Sequence, residues 1–380
     1  MVISNKRILI EIEQINSATQ NFKYGFKRFL DYIGAEYRFK KIEDIIERDL
    51  NWCDVYISVR PNTPMSVSIA KAIKRSRRLY IVYFDDDLVN RNNSLKWRKD
   101  SSQKCLELSD AVFGANPTLC ADYGRFSKKS FSINTFVEEC ELSYLRRDNS
   151  IVKFVYAAGK DHAETFELIV KPALKQIMNE YHDRIHFTFI GVEPRIEDIG
   201  FLDNFTFIPM MSLQDYANYM KENAFDVGVA PLINSRFSRM KYFNKYIEYS
   251  KFGIAGIYSN VEPYIYAIHN KENGYLIDNK INDWIKCLKY CIDNIDDVRK
   301  IGENAQNDLR KNYSFKEIVD ELQNNFNSIE DNNECLAIRW DKNIIVSWWF
   351  GAYDMFWKIF NHIMYRGINE TFKMIIKRYF

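Results

Sequence analysis

The sequence predicts an α/β protein of two successive parallel-sheet domains facing a cleft, followed by an aromatic, basic helical tail. Three observations predict it. Apolar, β-rich runs alternate with helix-period segments along most of the chain, the pattern of parallel sheets covered on both faces. That alternation is interrupted once, by the polar run Arg146-Arg147-Asp148-Asn149-Ser150, and then starts again. The 380 residues contain only 14 glycines and 8 prolines, so loops are lean and the length suits two domains, each with its own core.

The first domain is expected over 1–148. Its strands are Arg7–Glu13, Asp54–Val59, Leu79–Phe84 and Ala111–Ala115, with amphipathic stretches around 18–33, 63–75 and 94–108. The second domain, 149–330, opens on the apolar run Lys153 to Gly159. It continues with helix 163–180, strands His186–Gly191 and Phe205–Ile208, helix 212–221 and strand Asp226–Pro231. Helix 241–252, strand Ile254–Ser259, a short helix near 263–269 and further helices to about 328 complete it. Ligands of open α/β sheets bind outside the carboxyl ends of the strands, so the two domains together make a cleft.

Composition narrows the function classes. The net charge is only +2, which implies no global field for nucleic acid. The apolar run at the N-terminus is too short for a signal peptide core, and the uncharged aromatic stretch from Asn343 to Tyr353 is too short to span a bilayer. The seven cysteines (53, 105, 120, 140, 287, 291, 335) include no C-x-x-C, so they are expected reduced and the protein cytoplasmic. Cys287 and Cys291 sit four apart on an expected helix, a packed face rather than half a metal site.

Two loops, each following a strand and opening a helix, carry the chemistry. The first is Gly159-Lys160-Asp161-His162, where glycine lets backbone approach a ligand and Lys160 adds positive charge. The second comprises Asp226 to Leu232, then Lys241-x3-Lys245-x2-Glu248-Tyr249, then Ser259-Asn260-Val261-Glu262-Pro263-Tyr264. On a helix Lys241, Lys245 and Glu248 share one face. Two ammoniums beside a carboxylate suit a nucleoside diphosphate, the cations meeting phosphates and the carboxylate accepting ribose hydroxyls. The bare spacing equally suits a salt-bridged surface helix.

Taken in order, these segments resemble the donor-binding half of GT-B glycosyltransferases, two Rossmann-like domains facing a cleft. The likeness is closest to the bacterial cell-surface polysaccharide branch of glycosyltransferase family 4 and its relatives. It covers roughly 150–280, and Asn273-Gly274-Tyr275-Leu276-Ile277 extends it. In the first domain it rests on Ser58-Val59-Arg60-Pro61 and on Tyr83-Phe84-Asp85-Asp86-Asp87-Leu88. The resemblance implies that Glu248 is the second glutamate of an E-x7-E motif and holds the donor ribose. It also implies that Gly159, Lys160, Asn260 and Lys241 or Lys245 serve the nucleotide and its diphosphate, and that Arg60 and Asp87 lie on the acceptor side. The first glutamate of the motif falls at Met240, a departure from the family pattern.

The activity so implied is transfer of a sugar from a nucleotide-sugar donor to a glycan or lipid-linked saccharide in cell-surface polysaccharide synthesis. It is expected to retain the anomeric configuration and to need no metal and no cofactor. Asp86, Asp87 and His162 are candidates for a catalytic role, with no residue assigned as base. Asp85-Asp86-Asp87 also resembles the metal-holding D-x-D of the other large glycosyltransferase class, a reading that leaves the Lys-Lys-Glu half unexplained. Two alternatives stand beside the enzyme: a non-catalytic subunit of a glycosyltransferase complex that binds nucleotide or a partner, and a sugar-nucleotide epimerase, which lacks a clear acid–base set.

The tail, 331–380, holds four of the seven tryptophans (340, 348, 349, 357), and 339–380 carries seven Lys/Arg against three acids. Ile345 to Ile363 and Ile368 to Tyr379 each form an aromatic, apolar helical face. Two readings apply: an interfacial helix on the anionic inner face of the plasma membrane, or a segment that crosses back onto the first domain. A second basic cluster, Lys71, Lys74, Arg75, Arg77 and Arg78 with Lys96, Arg98 and Lys99, lies in the acceptor-side domain. It is either a lipid-facing patch or a solvated helix face.

Overall fold

The computed structural model describes residues 2–12, 17–90, 94–134, 150–159, 162–330, 334–342 and 352, with the side chains of 17–21 and 213 left out of the description. In chain order, the first domain comprises β1 (Arg7–Ile12), α1 (Ser17–Tyr32), β2 (Glu36–Lys41), α2 (Glu47–Trp52), β3 (Val55–Val59), α3 (Pro64–Arg75), β4 (Leu79–Phe84), α4 (Lys96–Leu108), β5 (Ala111–Gly114), α5 (Pro117–Tyr123) and β6 (Ser130–Ser132). Its strands form one parallel sheet in the order β2-β1-β3-β4-β5-β6.

The second domain contributes β7 (Val152–Ala157), α6 (Ala163–Ile169), α7 (Lys171–Tyr181), β8 (Ile185–Ile190), β9 (Phe205–Ile208), α8 (Leu213–Asn223), β10 (Val227–Ala230), α9 (Arg236–Arg239), α10 (Asn244–Lys251), β11 (Ala255–Ser259), β12 (Tyr275–Ile277), α11 (Ile281–Asp293) and α12 (Ile295–Asn312), followed by α13 (Phe315–Asn327). Its strands also run parallel, in the order β12-β11-β10-β7-β8-β9. Read from the other edge this is the doubly wound order 3-2-1-4-5-6, whose direction reverses between β7 and β10. The expected two-domain α/β architecture is therefore present.

The inner strands are buried on both faces, so each sheet carries two cores. In the first domain one face packs Phe26 and Phe29 of α1 against Ile8 and Ile57, and the other packs α3 and α4 over Leu9, Tyr56 and Val82. In the second, α7 and α11 cover one face with Leu174, Trp284 and Leu288, while Tyr246 and Tyr249 of α10 belong to the other. Cys287 and Cys291 are buried in the α11 core, the packed face their spacing suggests. Of the described cysteines all are free thiols, and Cys140 lies outside the described residues.

Several elements depart from expectation for identifiable reasons. β2 and β6 are edge strands with half-exposed residues, so they lack the apolar run that marks the inner strands. The helix expected over 163–180 is two helices that meet at Val170; Pro172 in the first turn of α7 has no N–H to continue the ladder. The expected helix 241–252 begins only at Asn244, which leaves Lys241 in a turn. The chain after α12 does not stay with the second domain. α13 returns to the first sheet, where Ile318, Leu322 and Phe326 are buried among Phe26, Phe29 and Phe113.

The described part of the tail also lies on the first domain. The Leu336 N–H donates to the Ser76 carbonyl, Asn51 bonds both the N–H and the carbonyl of Ile338, and the Trp340 indole donates to Ser68 at 3.1 Å. The remaining aromatic faces, Ile345 to Ile363 and 368–379, lie outside the described residues except Ala352. Among the described residues no helix is long and apolar enough to cross a membrane. The basic cluster is partly spent internally. Arg78 is buried and donates to the carbonyls of Cys53, Asn51 and Leu336, Lys74 pairs with Asp110, and Arg98 bonds Asn62.

Candidate active site

A cavity of about 450 Å³ opens at the point where the second sheet reverses direction, between the carboxyl ends of β7 and β10. Gly159 and His162 line one side of it, Pro231 and Leu232 a second, and Lys241, Lys245 and Glu248 a third. The far end is Met210, Met211 and Tyr216. Five of the residues singled out in the second domain thus meet in one place. Lys160 lies outside the described residues. Asn260 does not line the cavity: it is exposed and its amide donates to Asp278 at 3.0 Å.

Its neighbour Ser259 does the work at that strand end. The Ser259 hydroxyl accepts from the Leu232 N–H at 2.8 Å and donates to Asn279, whose amide donates back to the Leu232 carbonyl. These three bonds fix the β10 loop that floors the cavity. On the opposite side, the Tyr156 hydroxyl donates to the His162 carbonyl at 3.0 Å and so holds the chain where α6 begins.

α10 brings Lys245 and Glu248 together as a half-buried ion pair. Tyr249 turns the other way, under β10. There its hydroxyl donates to the Val229 carbonyl at 3.0 Å, and a Cβ on Gly228 would come within 2.3 Å of its ring. The Tyr216 hydroxyl donates to Glu248 at 3.4 Å, and burial beside that carboxylate pushes the phenol well above its ordinary range. Glu248 therefore faces one fixed neutral donor and one cation. Lys241 reaches the cavity from the turn before α10, its ammonium 5.0 Å from the centre of the Phe237 ring. The expected shared helix face is corrected: the three charged groups converge, but only two of them are on the helix.

The first domain presents Arg60 and the acidic triplet. Arg60 follows β3 with a left-handed φ of 58°, a conformation that costs a non-glycine residue energy and is kept where surroundings enforce it. Its guanidinium grips both oxygens of Asp85 at 2.6 and 2.8 Å and lies 3.5 Å from Asp86. Burial pushes the Asp85 carboxyl up to about 6, against the pull of the Arg60 charge. Asp87 is buried, and its carboxylate accepts from the Asn90 backbone and amide, the Tyr123 hydroxyl and Arg236. Side-chain exposure falls from 27% at Asp86 to 13% at Asp85 and 2% at Asp87. Of the triplet, Asp86 is the one a solute can reach.

Asp87 in fact belongs to a joint between the domains. Arg236, on α9, spans Asp87 and Asp122 of the first domain at 3.2 and 2.5 Å. The Asn116 amide donates across the gap to the carbonyls of Arg239 and Lys241, and Thr118 bonds the Tyr266 hydroxyl. Met240 is 4% exposed and belongs to the core cluster of the first domain, with Leu119 and Tyr123. The position where the resembling family carries a glutamate is thus an apolar plug. Sequence reading passed over Asn116, Arg236 and Tyr216. For Asn116 a signal existed, since Asn followed by Pro117 is a cap and first-turn signature. Arg236 had none.

No protein-family profile matches the chain, and no curated protein matches it in sequence. Solved structures do match in shape. HepE of Anabaena, determined in complex with UDP and glucose, superposes with a TM-score of 0.61 at 12% identity, over 85% of this chain and 100% of that one. Sucrose-phosphate synthase of Thermosynechococcus elongatus gives 0.63 at 10% identity, over 85% and 98%. An α-glucosyltransferase in complex with UDP and a 13-mer DNA gives 0.58 at 11% identity, over 85% and 99%. The chain shares with them a GT-B fold of two Rossmann-like domains.

Proposed function

We propose that this chain is a glycosyltransferase related to family 4, moving a sugar from a nucleoside-diphosphate donor to a glycan or lipid-linked saccharide in cell-surface polysaccharide synthesis. One observation carries the reading: Gly159, His162, Lys241, Lys245 and Glu248 surround a single cavity at the direction reversal of the second sheet. A nucleotide set there places its diphosphate by the two ammoniums and its ribose diol by Glu248, whose oxygens accept both hydroxyls. HepE, solved with UDP and with UDP-glucose in the same fold, supports a uridine donor.

The reaction breaks the bond between the anomeric carbon and the diphosphate oxygen and forms one to an acceptor oxygen. Positive charge develops on the sugar ring and negative charge on the leaving phosphate. Lys241 and Lys245 stabilise the second, the part a divalent ion would otherwise play, and on this reading the transfer needs no added metal. The acceptor proton passes to the departing phosphate and the configuration is retained. Asp86, exposed across the gap, orients the acceptor hydroxyl, and Arg60 sets the carboxylates. The acceptor is held on the first-domain side, at the inner face of the plasma membrane. The small net charge argues against a nucleic-acid acceptor, although one structural neighbour was solved with DNA.

A panel of nucleotide sugars with added saccharide and lipid-linked acceptors, run with and without a chelator, tests this directly. The expected result is donor hydrolysis or transfer that survives chelation and is lost in the Lys241→Ala, Lys245→Ala double variant. No turnover of any donor, with no binding either, overturns the proposal. Binding without turnover selects the second reading, a non-catalytic subunit, which the buried Met240 at the motif's first position favours.

A further inference from the structure

The cavity that holds the lysines belongs to the second domain, but the backbone of Lys241 does not stand free. It follows α9, and three features of the segment 236–241 are fastened to the first domain. Arg236 bridges Asp87 and Asp122, the Met240 side chain is buried with the first domain's core, and the carbonyls on either side of Met240, those of Arg239 and Lys241, accept from the Asn116 amide.

The residue choice at 116 is informative. Its Oδ1 caps α5 by accepting from the Leu119 N–H at 2.8 Å. Asp or Ser caps a helix about as well as Asn. Only a carboxamide adds two N–H donors to the capping oxygen, and here those donors cross the gap. The Asn116 side chain is 0% exposed, and its loss removes the inter-domain donor from the carbonyls of the exposed Arg239 and the half-exposed Lys241. The cap orients the amide, and the amide sets the turn that aims Lys241 at the cavity.

We propose that Asn116 of the first domain is a positioning residue for the second domain's lysine pocket, coupling the apposition of the domains to the backbone of Lys241. The inference rests on the nucleotide reading above but concerns the coupling rather than the reaction. When the domains separate, the donors leave the 239 and 241 carbonyls and the turn relaxes.

The test uses the full chain and two variants that keep the cap. Asn116→Asp retains the oxygen for Leu119 but loses both N–H donors and adds charge, whereas Asn116→Ser keeps a capping oxygen on a shorter, neutral side chain with a single O–H in place of the two N–H groups. Titration with UDP should show a Kd raised about tenfold in each, measured well below a melting temperature that the lost bonds lower, more in Asn116→Asp than in Asn116→Ser. In a Lys241→Ala background the same substitutions should change the Kd no further, because the residue they position is gone. Amide hydrogen exchange over 236–245, measured without ligand, should accelerate in both variants.

Unchanged UDP affinity and unchanged exchange in the two variants overturn the proposal. So does an equal tenfold loss in the Lys241→Ala background, which would mean that Asn116 acts through something other than Lys241. If the unaltered protein binds no nucleoside diphosphate, the glycosyl-transfer reading fails by itself, and the exchange arm still decides whether Asn116 holds the turn.

Discussion

Glu248 and the two lysines are three ordinary surface-type residues put to use by where the chain turns. Lys245 and Glu248 pair with each other, so on the proposed reading a diphosphate would draw Lys245 partly away while Glu248 turned to the ribose. Charge-assisted hydrogen bonds of this kind contribute about 1.5–3 kcal/mol each. Lys241→Ala, Lys245→Ala and Glu248→Ala should therefore each weaken UDP binding roughly 10- to 100-fold with the fold intact. Calorimetric titration checks this, and the last two should combine to less than the sum of their separate effects because they touch. A second prediction concerns Asp85. Its carboxyl is raised from 3.8 to about 6, so the native state keeps a proton that the unfolded chain releases. The resulting stability is fully present below about pH 4 and lost as pH rises through about 6, up to roughly 3 kcal/mol. Thermal unfolding between pH 4 and 7 should show that decline in the unaltered protein and not in Asp85→Asn. The spacing K-x3-K-x2-E was legible in the sequence because neighbours along the chain dictate it. That Lys241 stands in a turn, and that the Asn116 amide bonds its carbonyl from 125 residues away, was not, since both follow from domain packing.

At the scale of elements, the second domain packs through close approaches that glycine permits. α12 lies so near the turn before β11 that a Cβ on Gly302 would come within 2.2 Å of the Gly253 carbonyl oxygen. Backbone cannot swing aside as a side-chain tip can, so Gly302→Ala should cost about 1–3 kcal/mol or more, read as a lower urea midpoint at unchanged slope. Gly228→Ala meets the Tyr249 ring instead. It should disturb α10 and lower both stability and UDP affinity. The inner strands and long helices were legible because they are apolar runs or amphipathic periods bounded by breaks. The edge strand β2, Glu-Tyr-Arg-Phe-Lys-Lys, lacks an apolar run and shows only a short polar–aromatic alternation, with Tyr37 and Phe39 turned to the core.

The whole molecule is tied together at its far end. α13 follows the second domain in sequence, yet Phe326 stands 5.1 Å from the Phe113 ring and 6.0 Å from Phe29, and is 0% exposed. A domain boundary drawn at 330 from sequence alone keeps this helix with the second domain; the buried aromatic cluster assigns it to the first. Phe326→Ala should cost about 3–5 kcal/mol, and calorimetric scanning should show the first-domain transition falling although the substitution lies downstream of the second.

The cavity lined by Lys241, Lys245 and Glu248 is proposed to grip a nucleoside diphosphate. Isothermal titration of the full chain with UDP, beside the Lys241→Ala variant, measures that most directly. One site per chain, weakened at least tenfold in the variant, is the result predicted. Heat that is absent, or an affinity the variant leaves unchanged, would contradict it.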